Sequence, residues 1–195
     1  MPATEKQKIV FRETERLFLR PFRPKDADFL FLLLSDEETT AFLPLFPFRC
    51  RKDAEHYLLE REKAGGLSLA VCLKPENIPV GFVTVSGGKS RDLGYCLQRE
   101  YRGRGLMTES CTAVLSALRE AGVPFVTATH DRNNPKSGAV MKRLGMRYCY
   151  SYEELWQPKN FKVVFRMYQY NLDGEERVFR DYWDAAAVRF VEPGL

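Results

Sequence analysis

The 195-residue chain has only two histidines, His56 and His130, and five widely spaced cysteines at positions 50, 72, 96, 111 and 149. No C-x-x-C pair occurs and neither histidine lies near a cysteine at ligand spacing, so no zinc or redox motif is present and no metal is expected. The odd set of thiols reads as reduced and mostly buried. Long apolar runs are also missing. The longest, residues 29–34, spans six residues, follows Asp26 and Asp28, and falls far short of a membrane span. Residues 1–8 are polar and charged, unlike a secretory leader, so the cytoplasm is the expected compartment and no membrane partner is expected. The sequence contains neither the G-x-G-x-x-G dinucleotide fingerprint nor a P-loop ending in G-K-[ST]. It has no internal repeat and no low-complexity segment.

What is present suits one globular domain, since 45% of the residues are hydrophobic and the chain is long enough to bury a core around a ligand cleft. The formal charge of +4 is compatible with nucleic acid or with a polyanionic small ligand. Its distribution decides between them. Acids and bases are interleaved along most of the chain, and the one compact basic cluster with glycines is residues 99–105, a single localised anion site. An RNA-binding arginine-glycine segment would be repeated, whereas this one occurs once and launches a helix, which disfavours nucleic acid.

Pattern and punctuation give the element order. Residues 17–22 read as a strand closed by proline, and a helix starts near Pro24 with residues 29–34 as its buried face. Residues 41–48 form an apolar, proline-broken loop able to wall a pocket. Residues 51–63 read as a helix ended by Gly65 and Gly66, and residues 67–73, 80–86 and 92–98 as an antiparallel meander. A helix over residues 106–121 carries Cys111, Val114, Leu115 and Leu118 at i, i+3, i+4, i+7 spacing. The strand at 125–129 that follows implies a right-handed crossover into parallel pairing. Asn134 and Pro135 open a further helix, and strands near 148–155 and 163–171 finish the sheet. The expected fold is mixed α/β: a central twisted mixed sheet of six to seven strands flanked by helices, over residues 9–172. Residues 173–195 form an aromatic extension that packs on this domain or on a partner subunit in a homodimer.

The informative stretch is Arg99-Glu100-Tyr101-Arg102-Gly103-Arg104-Gly105-Leu106-Met107-Thr108-Glu109. A helix N-terminus presents unpaired N–H groups and partial positive charge, glycines let backbone approach a pyrophosphate, and Arg102 and Arg104 add charge there. In order with it stand Leu93-Gly94-Tyr95, Asn134-Pro135-Lys136-Ser137 and Arg143-Leu144-Gly145-Met146. This ordered set resembles the GNAT superfamily of N-acetyltransferases, specifically its RimJ/RimL-like branch, over about residues 10–172.

The resemblance implies acetyl-CoA as acetyl donor and a primary amine, on a protein N-terminus or a small molecule, as acceptor in a ternary complex. It implies that Leu97 and Gln98 pair with the pantetheine arm, that Arg102, Gly103, Arg104, Gly105, Leu106 and Met107 hold the pyrophosphate, and that Asn134 bonds the pantetheine near sulfur. Two departures stand out: the family loop ends here in Met107, and Met141 occupies a position where many members carry an acidic tyrosine. Ser137 resembles a serine proposed as the acid, with ordinary helix capping as its alternative role. For the base, Glu153 and Glu154 lie on a late strand with at most one facing the cleft, and Asp92 is another choice. Glu109 suits the helix dipole instead. The segment 156–160 and Phe42, Phe46 and Phe48 line the cleft or fill the core. The rival reading is a non-catalytic module on the same fold that binds CoA or nucleic acid.

Overall fold

The computed structural model describes residues 12–195. The sequence reading of residues 9–11 lies outside them. Strand β1 (Arg12–Glu13) and β2 (Leu17–Pro21) lead through a 3-10 turn (Pro24–Asp26) into helix α1 (Ala27–Leu34) and a one-turn helix α2 (Glu37–Thr40). After α3 (Arg51–Lys63), strands β3 (Leu67–Leu73), β4 (Ile78–Val85) and β5 (Leu93–Leu97) complete an antiparallel sheet ordered β1-β2-β3-β4-β5. Helix α4 (Leu106–Glu120) crosses to β6 (Phe125–Asp131), and α5 (Pro135–Arg143) to β7 (Arg147–Trp156) and β8 (Phe161–Asn171). A last helix α6 (Asp181–Ala185) and strand β9 (Arg189–Phe190) end the chain, the second sheet being ordered β6-β8-β7-β9.

The parallel pairing of β5 with β6 is reduced to one bridge, Asp92 with Thr127. The expected single mixed sheet is therefore two antiparallel sheets, seven of whose strands are longer than two residues, joined at one corner and splayed apart beyond it.

Successive strand residues point to opposite faces, and both faces of each sheet are packed here. On one side, Leu93 and Leu97 of β5 and Val126 and Ala128 of β6 pack with Leu106, Cys111, Val114 and Leu118 of α4. This common core joins the sheets through α4, whose apolar stripe was legible in its i, i+3, i+4, i+7 spacing. On the other side, Phe82 and Cys96 of the first sheet meet α1, Ala54 and Tyr57. The corresponding face of the second sheet, with Tyr150, Tyr152, Trp156, Phe165 and Met167, is covered by Phe179, Tyr182, Trp183 and Ala186 of the extension. A bulge in β7 between Tyr148 and Tyr150 changes the facing, so Tyr148 packs on the α4 side and Tyr150 on the other.

One buried ion pair fastens β2 to the turn before α1. The Arg20 guanidinium donates to both Asp26 carboxylate oxygens at 2.6 and 3.0 Å, and both residues are almost fully buried. Burial opposes ionisation of Asp26, but bonds from Arg20 and from the Arg23 N–H outweigh it and hold the carboxyl below its ordinary value. Asp26→Ala strands the Arg20 charge and should cost about 3–5 kcal/mol. A depressed carboxyl contributes stability that is present above its unfolded pKa and lost as pH falls through the folded one. Thermal unfolding at pH 7 should therefore show Asp26→Ala melting roughly 10 °C below the parent, with the gap closing in acid. A gap unchanged by acid would rule out the ion pair as its source.

Candidate active site

The splay between β5 and β6 leaves backbone groups of β5 without a strand partner. The Gln98 N–H donates to Val80 O at 2.9 Å and Gln98 O accepts from Tyr101 N–H at 3.1 Å, so Gln98 is committed to its own sheet and turn. By alternation along an antiparallel ladder, the backbone groups of Tyr95 and Leu97 point the other way, into the cleft. Of Leu97 and Gln98, only Leu97 turns its backbone to the cleft. Its carbonyl accepts from Arg102 Nε at 3.0 Å.

That contact relocates Arg102. Its Nη2 donates to the Thr39 hydroxyl at 2.8 Å and its Nη1 pairs with Glu38 at 3.4 Å, so the side chain ties the β5 end to α2 rather than reaching out with the loop. Arg104 stays exposed, its guanidinium above the Tyr101 ring.

The loop itself is an open cradle. Gly103 and Gly105 have φ of +76° and +78°, a conformation natural to glycine, and Gly105 immediately precedes α4. The first helical bond runs from Glu109 N–H to Gly105 O, which leaves the amides of Leu106, Met107 and Thr108 at the positive end of the helix. Leu106 and Met107 bury their side chains, so their backbone is what they can offer a ligand. A Cβ on Gly105 would meet only Arg16 Nη2 at 3.5 Å, and one on Gly103 nothing within 4 Å. The backbone of the loop is thus open on the side of these two glycines. Open grooves of about 510 Å³, lined by Thr108, Glu109, Thr112 and Arg143, and about 450 Å³, lined by Lys74, Tyr101 and Arg104, flank this end of α4. Glu109 is structural: it accepts from the Thr14 hydroxyl at 2.5 Å and Arg16 Nε at 2.7 Å, while Arg16 Nη1 donates to Arg104 O at 3.0 Å.

On the opposite lip of the cleft Asn134 caps α5, its Oδ1 accepting from Ser137 N–H at 3.4 Å. Ser137 is half-buried, and its Oγ lies 3.1 Å from the Tyr95 hydroxyl, which also donates to Ser137 O at 2.8 Å. The serine is thus both near its cap and part of a hydroxyl pair reaching across to β5. Burial pushes the Tyr95 phenol up, so it stays protonated and able to donate. Met141 is core, 1% exposed. Sequence reasoning places Tyr95 within a motif but gives it no role; its spacing with Leu93 and Leu97 was the available signal.

The acids separate. Glu153 pairs with Lys162 at 2.6 Å, and its N–H bonds Val188 O. Glu154 shares the Tyr152 face of β7, and partial burial raises its carboxyl above the ordinary range. Asp92 sits where the sheets meet: its N–H bonds the Ser86 hydroxyl at 2.8 Å and its Oδ1 accepts from the Thr127 hydroxyl at 3.2 Å. Burial pushes its carboxyl up to about 7, the Thr127 bond and the Arg61 charge offsetting only part of the effect. Lys159 in the β7–β8 connection donates to Thr40 O at 2.6 Å and Ala41 O at 2.9 Å, and Phe48 packs edge-on against Tyr57, whereas Phe46 is largely exposed. Among the described residues no three His, Cys, Asp or Glu gather as a metal site, and the cysteines are free thiols.

Residues 16–147 match the family model of the acetyltransferase (GNAT) domain. The chain belongs to the GNAT acetyltransferase family. The GNAT acetyltransferase of Bacillus anthracis superposes with a TM-score of 0.76 at 23% identity, over 84% of this chain and 99% of that one. RimL, a ribosomal L7/L12 α-N-protein acetyltransferase in complex with coenzyme A, gives 0.71 at 16%, over 83% and 97%. The ribosomal-protein-S5-alanine acetyltransferase of Vibrio fischeri gives 0.69 at 18%, over 86% and 100%. No curated protein matches the sequence. The GNAT chain is an acetyl-CoA-dependent N-acetyltransferase with an amine acceptor. Among the described residues no helix is long and apolar enough to cross a membrane.

Proposed function

We propose that this GNAT enzyme acetylates a primary amine in the β5–β6 cleft, with Asp92 taking the proton from the acceptor and the Ser137–Tyr95 pair serving the departing thiol. The observation that carries the reading is the single corner joining the sheets, which sets an acid of raised pKa below a strand edge whose Tyr95 and Leu97 N–H groups face the same opening. Acetyl-CoA supplies an activated acetyl group as its thioester.

The chain's own residues do the rest. The amides of residues 105–108 and Arg104 receive the pyrophosphate, Leu97 and Asn134 offer backbone and amide partners to the arm, and a cleft-facing β5 N–H offers a donor to the carbonyl oxygen. Asp92 lies three residues before Tyr95, about 10 Å along the strand, so a proton reaches it through water. Glu153 is left to its lysine, and Glu154 tunes the mouth of the cleft. The ribosomal-protein acetyltransferases among the structural neighbours favour a polypeptide amino terminus as acceptor, in keeping with the RimJ/RimL-like branch and a cytoplasmic enzyme.

The test couples turnover to Ser137. Thiol release from acetyl-CoA should depend on an added free-amino peptide or small amine, and Ser137→Ala should lower kcat roughly 10- to 100-fold while leaving acetyl-CoA affinity within twofold. Unchanged kcat would reduce Ser137 to a cap. No release with any amine would remove the transferase reading and leave a CoA-binding module.

A further inference from the structure

Residues 173–195 lie beyond the matched family segment, 16–147, yet their aromatic residues pack on one face of the second sheet. Two anchors fix them. Near the end of the chain, Glu192 receives Arg166 Nε at 2.9 Å and the Ser151 hydroxyl at 2.6 Å, and its own N–H donates to the Tyr148 hydroxyl at 3.0 Å. Upstream, the Phe179 N–H donates to Gln169 Oε1 at 2.8 Å and Phe179 O accepts from the Tyr150 hydroxyl at 2.7 Å. Between these anchors α6 packs against β7.

The side chain this arrangement aims is Tyr182. Its ring stacks on Tyr152 with centroids 5.3 Å apart and planes 10° from parallel, and meets Phe179 edge-on. Its phenol lies by the corner where the sheets join: burial, with the Asp92 and Glu154 charges nearby, pushes it up to about 12, and the neighbouring Ser90 and Thr127 side chains offset part of the rise. Thr127 is itself bonded to Asp92. Across the corner, on α3, Arg61 stands over the Tyr57 ring with its Nε buried and unbonded. The hairpin tip closes the same side, since Lys159 lies over Trp156 and bonds the carbonyls of Thr40 and Ala41. On this side the two sheets are therefore flanked by α3, by the β7–β8 connection and by α6.

We propose that the C-terminal extension is a wall of the acceptor cleft, and that Tyr182 is a positioning residue that orients the incoming amine on the Asp92 side of that cleft. The inference rests on the acetyltransferase reading above. A tyrosine suits this place because its face gives a flat apolar surface for the carbon chain behind the amine, while its hydroxyl stays within the polar corner. Because Tyr182 and the aromatic residues around it lie on the side of the sheets opposite α4, they would meet the acceptor and not the pyrophosphate cradle. Their effect should therefore appear in one substrate alone.

The experiment uses the full chain with Tyr182→Ala and Tyr182→Phe, a tetrapeptide with a free amino terminus and 1,5-diaminopentane as acceptors, and calorimetric titration of acetyl-CoA. For whichever acceptor the parent uses, Tyr182→Ala should raise KM at least tenfold while the acetyl-CoA Kd stays within twofold. Tyr182→Phe, which keeps the ring, should restore KM to within about threefold of the parent. A folded Tyr182→Ala variant with unaltered acceptor KM overturns the proposal while leaving the transferase reading intact. Equal weakening of acetyl-CoA and acceptor also overturns it, by marking a role in general folding. A parent that binds acetyl-CoA but acetylates neither amine sinks both readings together.

Discussion

Asp92→Asn should lower kcat/KM by about 10²- to 10⁴-fold at pH 8 and erase an acid limb near pH 7 from the pH–rate profile, the size of effect that a positioned general base contributes. A base works only when ionised, so parent activity should climb as pH passes about 7, where burial has placed the Asp92 carboxyl. The groups near it are Thr127, which bonds it, Arg61, whose charge favours the ionised form, and the phenols of Tyr182, Tyr152 and Tyr95. The acceptor amine titrates as well, so the limb to watch is the one lost with the aspartate; the amine's own limb persists in the variant. Stability gives an independent reading with a fixed sign. An acid whose folded pKa is raised is held neutral by the fold, so its stabilising contribution is full below the unfolded pKa and is lost as pH rises through the folded value. Asp92→Asn should therefore melt higher than the parent at pH 8 and no higher at pH 4. Such an exchange of stability for activity is what a strained functional group produces. Parent-like turnover in the variant would return the base to water or to Glu154.

The elements that sequence pattern foretold are those whose signal is local. Helix α4 was legible because its apolar stripe, the glycines before it and Gly122 after it all fall within twenty residues. Asn134 as a cap and the β7–β8 hairpin were legible for the same reason. What escaped depends on residues far apart in the chain. Arg102 counted as one more positive charge in a phosphate loop, but its side chain turns to Leu97 O and to Thr39, 63 residues away, where fixed acceptors hold it. Tyr95 stood in the Leu93-Gly94-Tyr95 motif without a role of its own, because the partner of its hydroxyl, Ser137, lies 42 positions along and is brought to it by α5. The splay itself has no sequence signature, because β5 and β6 each carry a good strand pattern and the missing ladder between them is a matter of placement. The extension declared its packing through aromatics, yet a five-residue helix and a two-residue strand are too short to show a period.

Gly105→Val should weaken acetyl-CoA binding about 100-fold or more while leaving the fold intact. Two costs combine at that position. The residue sits at φ +78°, where a β-branched side chain is strained by roughly 1–3 kcal/mol, and relief of the strain would swing the amides of the first turn away from their common focus. The added methyls would also stand in the space that the protein leaves open, since its nearest atom there is Arg16 Nη2 at 3.5 Å. Strain and occlusion can be separated by a control at the other end of the same helix: Gly122 has φ +72°, and a Cβ added there would meet nothing within 4 Å. Gly122→Val should suffer a similar loss of thermal stability and yet bind acetyl-CoA as the parent does. Calorimetry on both variants, with circular dichroism to show that α4 persists, gives the comparison. If Gly105→Val is folded and binds acetyl-CoA with parental affinity, or if the two variants lose binding equally, the N-terminus of α4 is not where the pyrophosphate sits. The assignment of Gly103, Arg104, Leu106 and Met107 to the cofactor would then fall with it.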